Sequence, residues 1–301
     1  MQFVHQPGID GIPQISRSQR VELLSKGLDY SKLVAGGFKH REAVVDVNDF
    51  DEFLSLVDYE KNYKSYWNQF TRTFAKDGRP TNTINKKFYE QFLSVYFSSP
   101  GPGQVAMDVA AAVGPFSHIL KTKYGIVRSF HQDLVDYNTA KHAFLEDGEV
   151  ERVVSNATEL PVEDQSLDLM FLLNSWEHFQ APSDLDFLIE AERCLRPGGK
   201  MFIVPLKAAA SAFVRTDPDL WQTKQVYDSS SDPLFRTTVP VDVDKCGQVY
   251  DQHHDADLLL EFAQKTPNLS YEVITVRLNE VPDWHPPELD RPCDVLVAER
   301  R

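Results

Sequence analysis

The stretch from Val153 to Leu206 constrains this chain most. It runs through an apolar segment, a polar turn carrying Leu160-Pro161, a short acidic loop, a second apolar segment from Leu167 to Leu173 and the Glu177-His178 pair. An amphipathic segment, an Arg196-Pro197-Gly198-Gly199 turn and a third apolar segment follow. Short apolar runs alternating with helical spacing imply parallel strands joined by crossover helices, and therefore a sheet covered on both faces.

The same alternation extends outward. Strands are predicted at Gln104 to Val109, Ile126 to Phe130, Glu151 to Val154, Leu167 to Leu173, Lys200 to Pro205, Ser270 to Arg277 and Cys293 to Ala298. Helices are predicted at Phe116 to Lys123, Tyr137 to Leu145, Ala181 to Cys194 and Ala256 to Lys265. The last two strands have no convincing helix between them, which suits an antiparallel hairpin. Upstream, residues 1–15 carry Pro7, Gly8, Gly11 and Pro13 without periodicity and read as an irregular tail. From Arg17 to about Tyr96 apolar residues recur at helical spacing, as in Phe50, Phe53, Leu54 and Val57, which predicts a helical cap over residues 1–100. The SerSerProGlyProGly linker at 98–103 then opens an α/β domain over 101–301, with an insertion at about 207–250.

Forty-five acids against 31 Lys and Arg give a net charge of -14, with no basic stripe, so a nucleic-acid partner is not expected. Cys194, Cys246 and Cys293 are odd in number and lack metal spacing, which suits reduced thiols and a cytoplasmic setting. No apolar run approaches the ~20 residues that cross a bilayer, so no membrane association is expected. No metal is expected either.

The order of elements over roughly 104–300 resembles the catalytic domain of class I S-adenosylmethionine (SAM) dependent methyltransferases. The likeness is carried by the SNATELP turn at 155–161, with Asn156 where the family has Asp, the Leu167-Asp168-Leu169-Met170 strand, the Glu177-His178 pair and the LRPGG turn at 195–199. The resemblance implies a doubly wound, mostly parallel sheet of seven strands, SAM as cofactor, and methylation of a small-molecule acceptor, most readily at oxygen. It also implies a cofactor pocket lined by Asp108, Ala110, Gly114, Asp133, Asn156 and Ala157. Alternatives of other classes are a non-catalytic binding or scaffold protein on the same fold, and a SAM-fold enzyme with non-methylating chemistry.

The first turn departs from the family's Asp-x-Gly-x-Gly-x-Gly. Asp108 and Gly114 are kept, but Ala110 and Ala112 replace two glycines, and alanine disfavours positive φ. A dinucleotide site would suffer more from this than a SAM site, because pyrophosphate needs close backbone approach. Asp133, 19 residues beyond Gly114, suits a ribose diol or, alternatively, a solvated helix cap. Asn156 can contact adenine or simply form a turn.

His178, after the fourth strand of the domain, stands where such sheets bind ligands and could take a proton from a hydroxyl acceptor, or only shape the pocket. His253 and His254, before the helix at Ala256, are weaker candidates for the acceptor pocket, while Asp255 is expected to cap that helix. Tyr63, Tyr66, Trp67 and Phe70 form an aromatic stripe at helical spacing. Such a stripe is usually core, yet the resemblance allows Tyr63 or Tyr66 to close over SAM. A homodimer through the cap is left open.

Overall fold

The computed structural model describes residues 9–57, 83–112, 114–136, 148–221, 235–280 and 292–301. The first elements are α1 (Arg17–Lys26), α2 (Tyr30–Ala35), β1 (Lys39–Val45), α3 (Val47–Val57) and α4 (Thr83–Ser98). The α/β alternation follows with β2 (Val105–Val109), α5 (Phe116–Tyr124), β3 (Arg128–Asp133), β4 (Glu151–Val154), β5 (Leu167–Leu173), α6 (Ser183–Cys194) and β6 (Leu195–Val204). After it come β7 (Phe213–Thr216), β8 (Val241–Val243), β9 (Asp251–His253), α7 (Ala256–Lys265), β10 (Leu269–Leu278) and β11 (Cys293–Arg300).

One large sheet has the order β1-β10-β11-β6-β5-β2-β3-β4. β11 runs antiparallel to both β10 and β6, and the other pairings are parallel. The chain moves from β2 outward to β3 and β4, then returns to β5 on the other side of β2. The carboxyl ends of β2 and β5 therefore flank the switch point at which doubly wound sheets hold their ligands.

Alternation along each strand builds two cores. Met170 and Leu172 join Met107, Val109, Met201 and Ile203 beneath Phe187 and Leu188 of α6 and Leu259 and Phe262 of α7. Leu169 and Phe171 point the other way, with Phe202 and Val204, onto Phe50 of α3, Phe88 and Phe92 of α4 and Phe116 of α5. The near-continuous apolar character of β5 follows from burial on both faces.

Two expectations need correction. The sheet has eight strands rather than seven, and the segment predicted to be wholly helical contributes the eighth. β1, KHREAVV, pairs in parallel with β10 from Lys39 opposite Glu272 to Val45 opposite Leu278. It lies on the edge, so only Val45 is fully buried and its period-2 signal is masked by solvated charges such as Arg41, which pairs with Glu272 at 2.9 Å. The 207–250 insertion, with β9 just after it, forms a separate three-stranded sheet of order β8-β7-β9. Arg20 of α1 is tied to it through Asp242 and, at 2.7 Å, Asp244. Asp255 caps α7 as expected, accepting from Leu258 N at 2.9 Å. The predicted helix at Tyr137 to Leu145 and the aromatic stripe with Tyr63 and Tyr66 lie outside the described residues.

Candidate active site

The turn after β2 follows the glycine path although alanines occupy it. Ala110 and Ala112 have φ values of 51° and 50°, in the left-handed region that costs a side-chain-bearing residue roughly 1–2 kcal/mol. Three consecutive residues of β3 hold the turn there. Gln132 accepts from Ala110 N through its side chain at 3.1 Å and from Ala111 N through its carbonyl at 3.0 Å. The Asp133 carboxylate accepts from Ala112 N at 2.8 Å. His131 donates through Nε2 to the Ala112 carbonyl at 3.0 Å, and its Nδ1 accepts from the Ser117 hydroxyl at 2.9 Å. Gly114 closes the turn onto the Ala111 carbonyl at 2.8 Å, and an added Cβ would meet that same oxygen at 3.0 Å.

The amides at 110, 111, 112 and 114 thus all have protein acceptors, which leaves none of them for a pyrophosphate. Beneath the turn, Asp108 is buried, and burial raises its carboxyl well above the usual range, with nearby Asp133 adding to the shift. Asp133 is also raised by burial, although three backbone amides, those of Val135, Ala112 and Leu134, favour its ionised form.

The turn after β4 approaches the same edge. Asn156 is exposed, and its Oδ1 accepts from Thr158 N at 3.1 Å, an Asx turn. The Ala157 methyl is in the core, so only the backbone of that residue can meet a ligand. The β3 clamp reaches this turn as well, because Gln132 Nε2 donates to the Ser155 carbonyl at 2.6 Å.

At the carboxyl end of β5, Trp176–His178 forms one 3-10 turn. His178 Nδ1 lies 2.7 Å from the Tyr250 carbonyl, and because a carbonyl only accepts, Nδ1 carries a proton, so that in the neutral ring Nε2 is the nitrogen with the lone pair. Around it lies a buried charge rack. Lys207 Nζ is 3.2 Å from Glu177 Oε1 and 2.8 Å from Asp251 Oδ1, and Arg215 approaches Asp251 at 3.8 Å. Burial, the largest single influence, opposes ionisation of Glu177 and Asp251, but Lys207, the nearby histidines and hydrogen bonds together outweigh it, and both carboxyls titrate below their ordinary values. Both also interact electrostatically with His178.

The other two histidines have different surroundings. His254 stacks flat on Trp176 with ring centroids 4.1 Å apart and is almost fully buried, within a network in which Arg236 and Gln252 hold Asp184. Packing occupies its faces. His253 stacks on Phe213 at 4.5 Å, 4.0 Å from Asp251, and burial lowers its pKa to about 4, so it is neutral near pH 7. Sequence reasoning missed His131, Gln132, Lys207 and Asp184, whose partners are up to 70 residues away in the chain. Among the described residues no group of His, Cys, Asp and Glu could hold a metal ion, and no helix is long and apolar enough to cross a membrane.

Residues 107–203, from β2 through β6, match the family described as a methyltransferase domain. Over that segment the chain is similar to a methyltransferase. No curated protein matches the chain. Among solved structures it is similar to the Burkholderia thailandensis 1,6-didemethyltoxoflavin-N1-methyltransferase, with 13% identity, 86% of this chain and 92% of that chain covered, and a TM-score of 0.49. A SAM-dependent methyltransferase from Mesorhizobium loti is 16% identical over 70% of this chain and 98% of its own, with a TM-score of 0.46. Another from Aquifex aeolicus is 14% identical over 70% and 89%, with a TM-score of 0.43.

The residues at this edge have the chemistry to hold SAM, the cofactor that the resemblance implies. The alanine turn keeps the left-handed φ values that glycines would favour at the end of β2. The Asp133 carboxylate has not exhausted its capacity of about four hydrogen bonds and can still accept from a ribose hydroxyl. The Ala157 amide has no partner among the described residues, beside the exposed Asn156, and can donate to a purine ring nitrogen.

Proposed function

We propose that this α/β domain methylates a small-molecule acceptor at a hydroxyl oxygen, with His178 as the general base. The observation that carries the reading is the hydrogen bond from His178 Nδ1 to the Tyr250 carbonyl, which leaves Nε2 as the basic nitrogen at the carboxyl edge of β5. When bound, SAM supplies a methyl group made electrophilic by its sulfonium. Asp133, Asn156 and the Ala157 amide would hold its adenosine end. His178 Nε2 would accept the proton that the acceptor hydroxyl gives up as it takes the methyl group. The neighbouring carboxylates of Glu177 and Asp251 favour the imidazolium so formed, while Lys207 between them keeps the rack from accumulating negative charge.

An oxygen acceptor is favoured over a neutral amine because an amine needs no base before attack, whereas a hydroxyl is a poor nucleophile until its proton is taken. The scaffold alternative draws no support from the alanines, since they keep the left-handed turn. The test begins with calorimetry of SAM and S-adenosylhomocysteine, with Asp133→Ala as control. Release of S-adenosylhomocysteine is then measured on a panel of phenols, aliphatic alcohols, amines and carboxylic acids. Turnover of hydroxyl acceptors, lost in His178→Gln with cofactor affinity unchanged, supports the reading. Turnover of amines alone, or of hydroxyls without dependence on His178, refutes it.

A further inference from the structure

Gln132 is almost fully buried one residue before Asp133, in the interior of the sheet's carboxyl edge. Its amide has one orientation open to it. Oε1 must face Ala110 N, which only donates, and Nε2 must face the Ser155 carbonyl, which only accepts, at 3.1 and 2.6 Å. The two groups it joins belong to different turns. Ala110 opens the turn after β2, and Ser155 immediately precedes Asn156 in the turn after β4. The main chain reinforces the bridge, for the Gln132 carbonyl accepts from Ala111 N and the Asp133 carbonyl accepts from Ser155 N, both at 3.0 Å.

We propose that Gln132 is a positioning residue for the cofactor: it locks the alanine turn and the Asn156 turn into one frame, so that both faces of the adenosine site are built before the ligand arrives. This rests on the reading of that site as a SAM site. A valine or leucine at 132 would fill the same buried volume but would leave Ala110 N and the Ser155 carbonyl without this partner. The turn after β2 is also the one that needs holding, because alanine at 110 and 112 resists the φ values it adopts. Gln132 touches no reacting atom and acts through the two turns. It is therefore distinct from Asp133, whose carboxylate meets the ligand.

A double-mutant cycle on cofactor affinity tests this. Dissociation constants for S-adenosylhomocysteine are measured by calorimetry for the wild type, Gln132→Met, Asn156→Ala and the double variant. Loss of the bridge is expected to weaken binding roughly tenfold or more. Asn156→Ala should then cost much less in the Gln132→Met background than in the wild type, because the turn carrying it is no longer held in place. A merely structural role would lower the melting temperature and leave the two affinity losses independent. Unchanged affinity in Gln132→Met, or losses that multiply, overturns the proposal. If Gln132→Met does not fold, Gln132→Glu keeps an acceptor for Ala110 N while removing the donor to Ser155, and the same cycle is run with it. If the wild type binds neither S-adenosylhomocysteine nor SAM, the SAM-site reading itself falls and the positioning role falls with it. Should the wild type bind and only the cycle prove additive, the cofactor reading stands and Gln132 alone is wrongly assigned.

Discussion

Replacing Ala112 by glycine should stabilise this protein, and replacing Ala110 should do so less. Both residues hold φ near 50°, where a Cβ costs about 1–2 kcal/mol. Glycine removes that cost but enlarges the conformational freedom of the unfolded chain, which takes back about 0.4–1 kcal/mol. The balance for Ala112→Gly is a gain of about 0.5–1 kcal/mol. Ala110 differs because its methyl packs against the core formed by Met107, Val109 and their neighbours. A buried methyl contributes up to about 0.8 kcal/mol, so Ala110→Gly should come out close to neutral. For a chain of this size 1 kcal/mol moves the midpoint by about 2–4 °C, which scanning calorimetry resolves. The expected pattern is a rise of about 1–3 °C for Ala112→Gly and no more than about 1 °C either way for Ala110→Gly. A fall in melting temperature for Ala112→Gly, or a larger gain at 110 than at 112, would refute the account of the turn as strained alanines held by β3. Cofactor affinity should follow the same order if the turn's shape, rather than its methyl groups, is what the ligand meets.

Three further outcomes follow from the buried charges. His253, held to a pKa of about 4, stays neutral in the fold while the unfolded chain takes up a proton near 6.5. Stability should therefore be lost as the pH falls from 6.5 toward 4, on the order of 3 kcal/mol from this group, and urea titrations of His253→Phe across that range should show a shallower decline. Asp108 has the opposite sign. Its raised carboxyl binds a proton more readily in the fold, so stability drops as the pH rises above the ordinary carboxyl range of about 4 toward its elevated value; Asp108→Asn should gain on the wild type over that rise, with the gap closing as the pH is lowered back toward about 4. Arg236→Ala leaves the fully buried Asp184 without its cationic partner and should cost about 3–5 kcal/mol in denaturant unfolding, whereas Lys26→Ala, in an exposed pair with Glu22, should leave the unfolding midpoint essentially where it is.

The elements that were legible in the sequence are those whose signal is local. β5 begins and ends where an apolar run begins and ends, and α7 starts where Asp255 supplies a cap three residues before Leu258. β1 was not legible, because an edge strand with charged residues owes its conformation to a partner more than 200 residues away, and nothing in KHREAVV announces β10. The site divides the same way. Asp133 could be placed by its distance from Gly114, since that spacing reflects one helix and one strand of fixed length. Gln132 could not, because its two partners come from separate turns that only the folded sheet brings together.

The alanines carry the further lesson. Read one at a time, Ala110 and Ala112 argue for a different loop path, because each residue's own φ preference opposes the left-handed region. In the fold each opposing preference of about 1–2 kcal/mol is met by specific hydrogen bonds from His131, Gln132 and Asp133, individually comparable in size. The turn is therefore a property of two segments jointly, and a glycine count in one of them underestimates what the other supplies. The same reasoning predicts a dependence that local propensity does not contain. Gln132→Met should cost more stability in the alanine background than in Ala110→Gly/Ala112→Gly, because relaxed glycines need less holding. Equal costs in the two backgrounds, by urea unfolding, would mean that β3 and the turn are adjacent without being coupled.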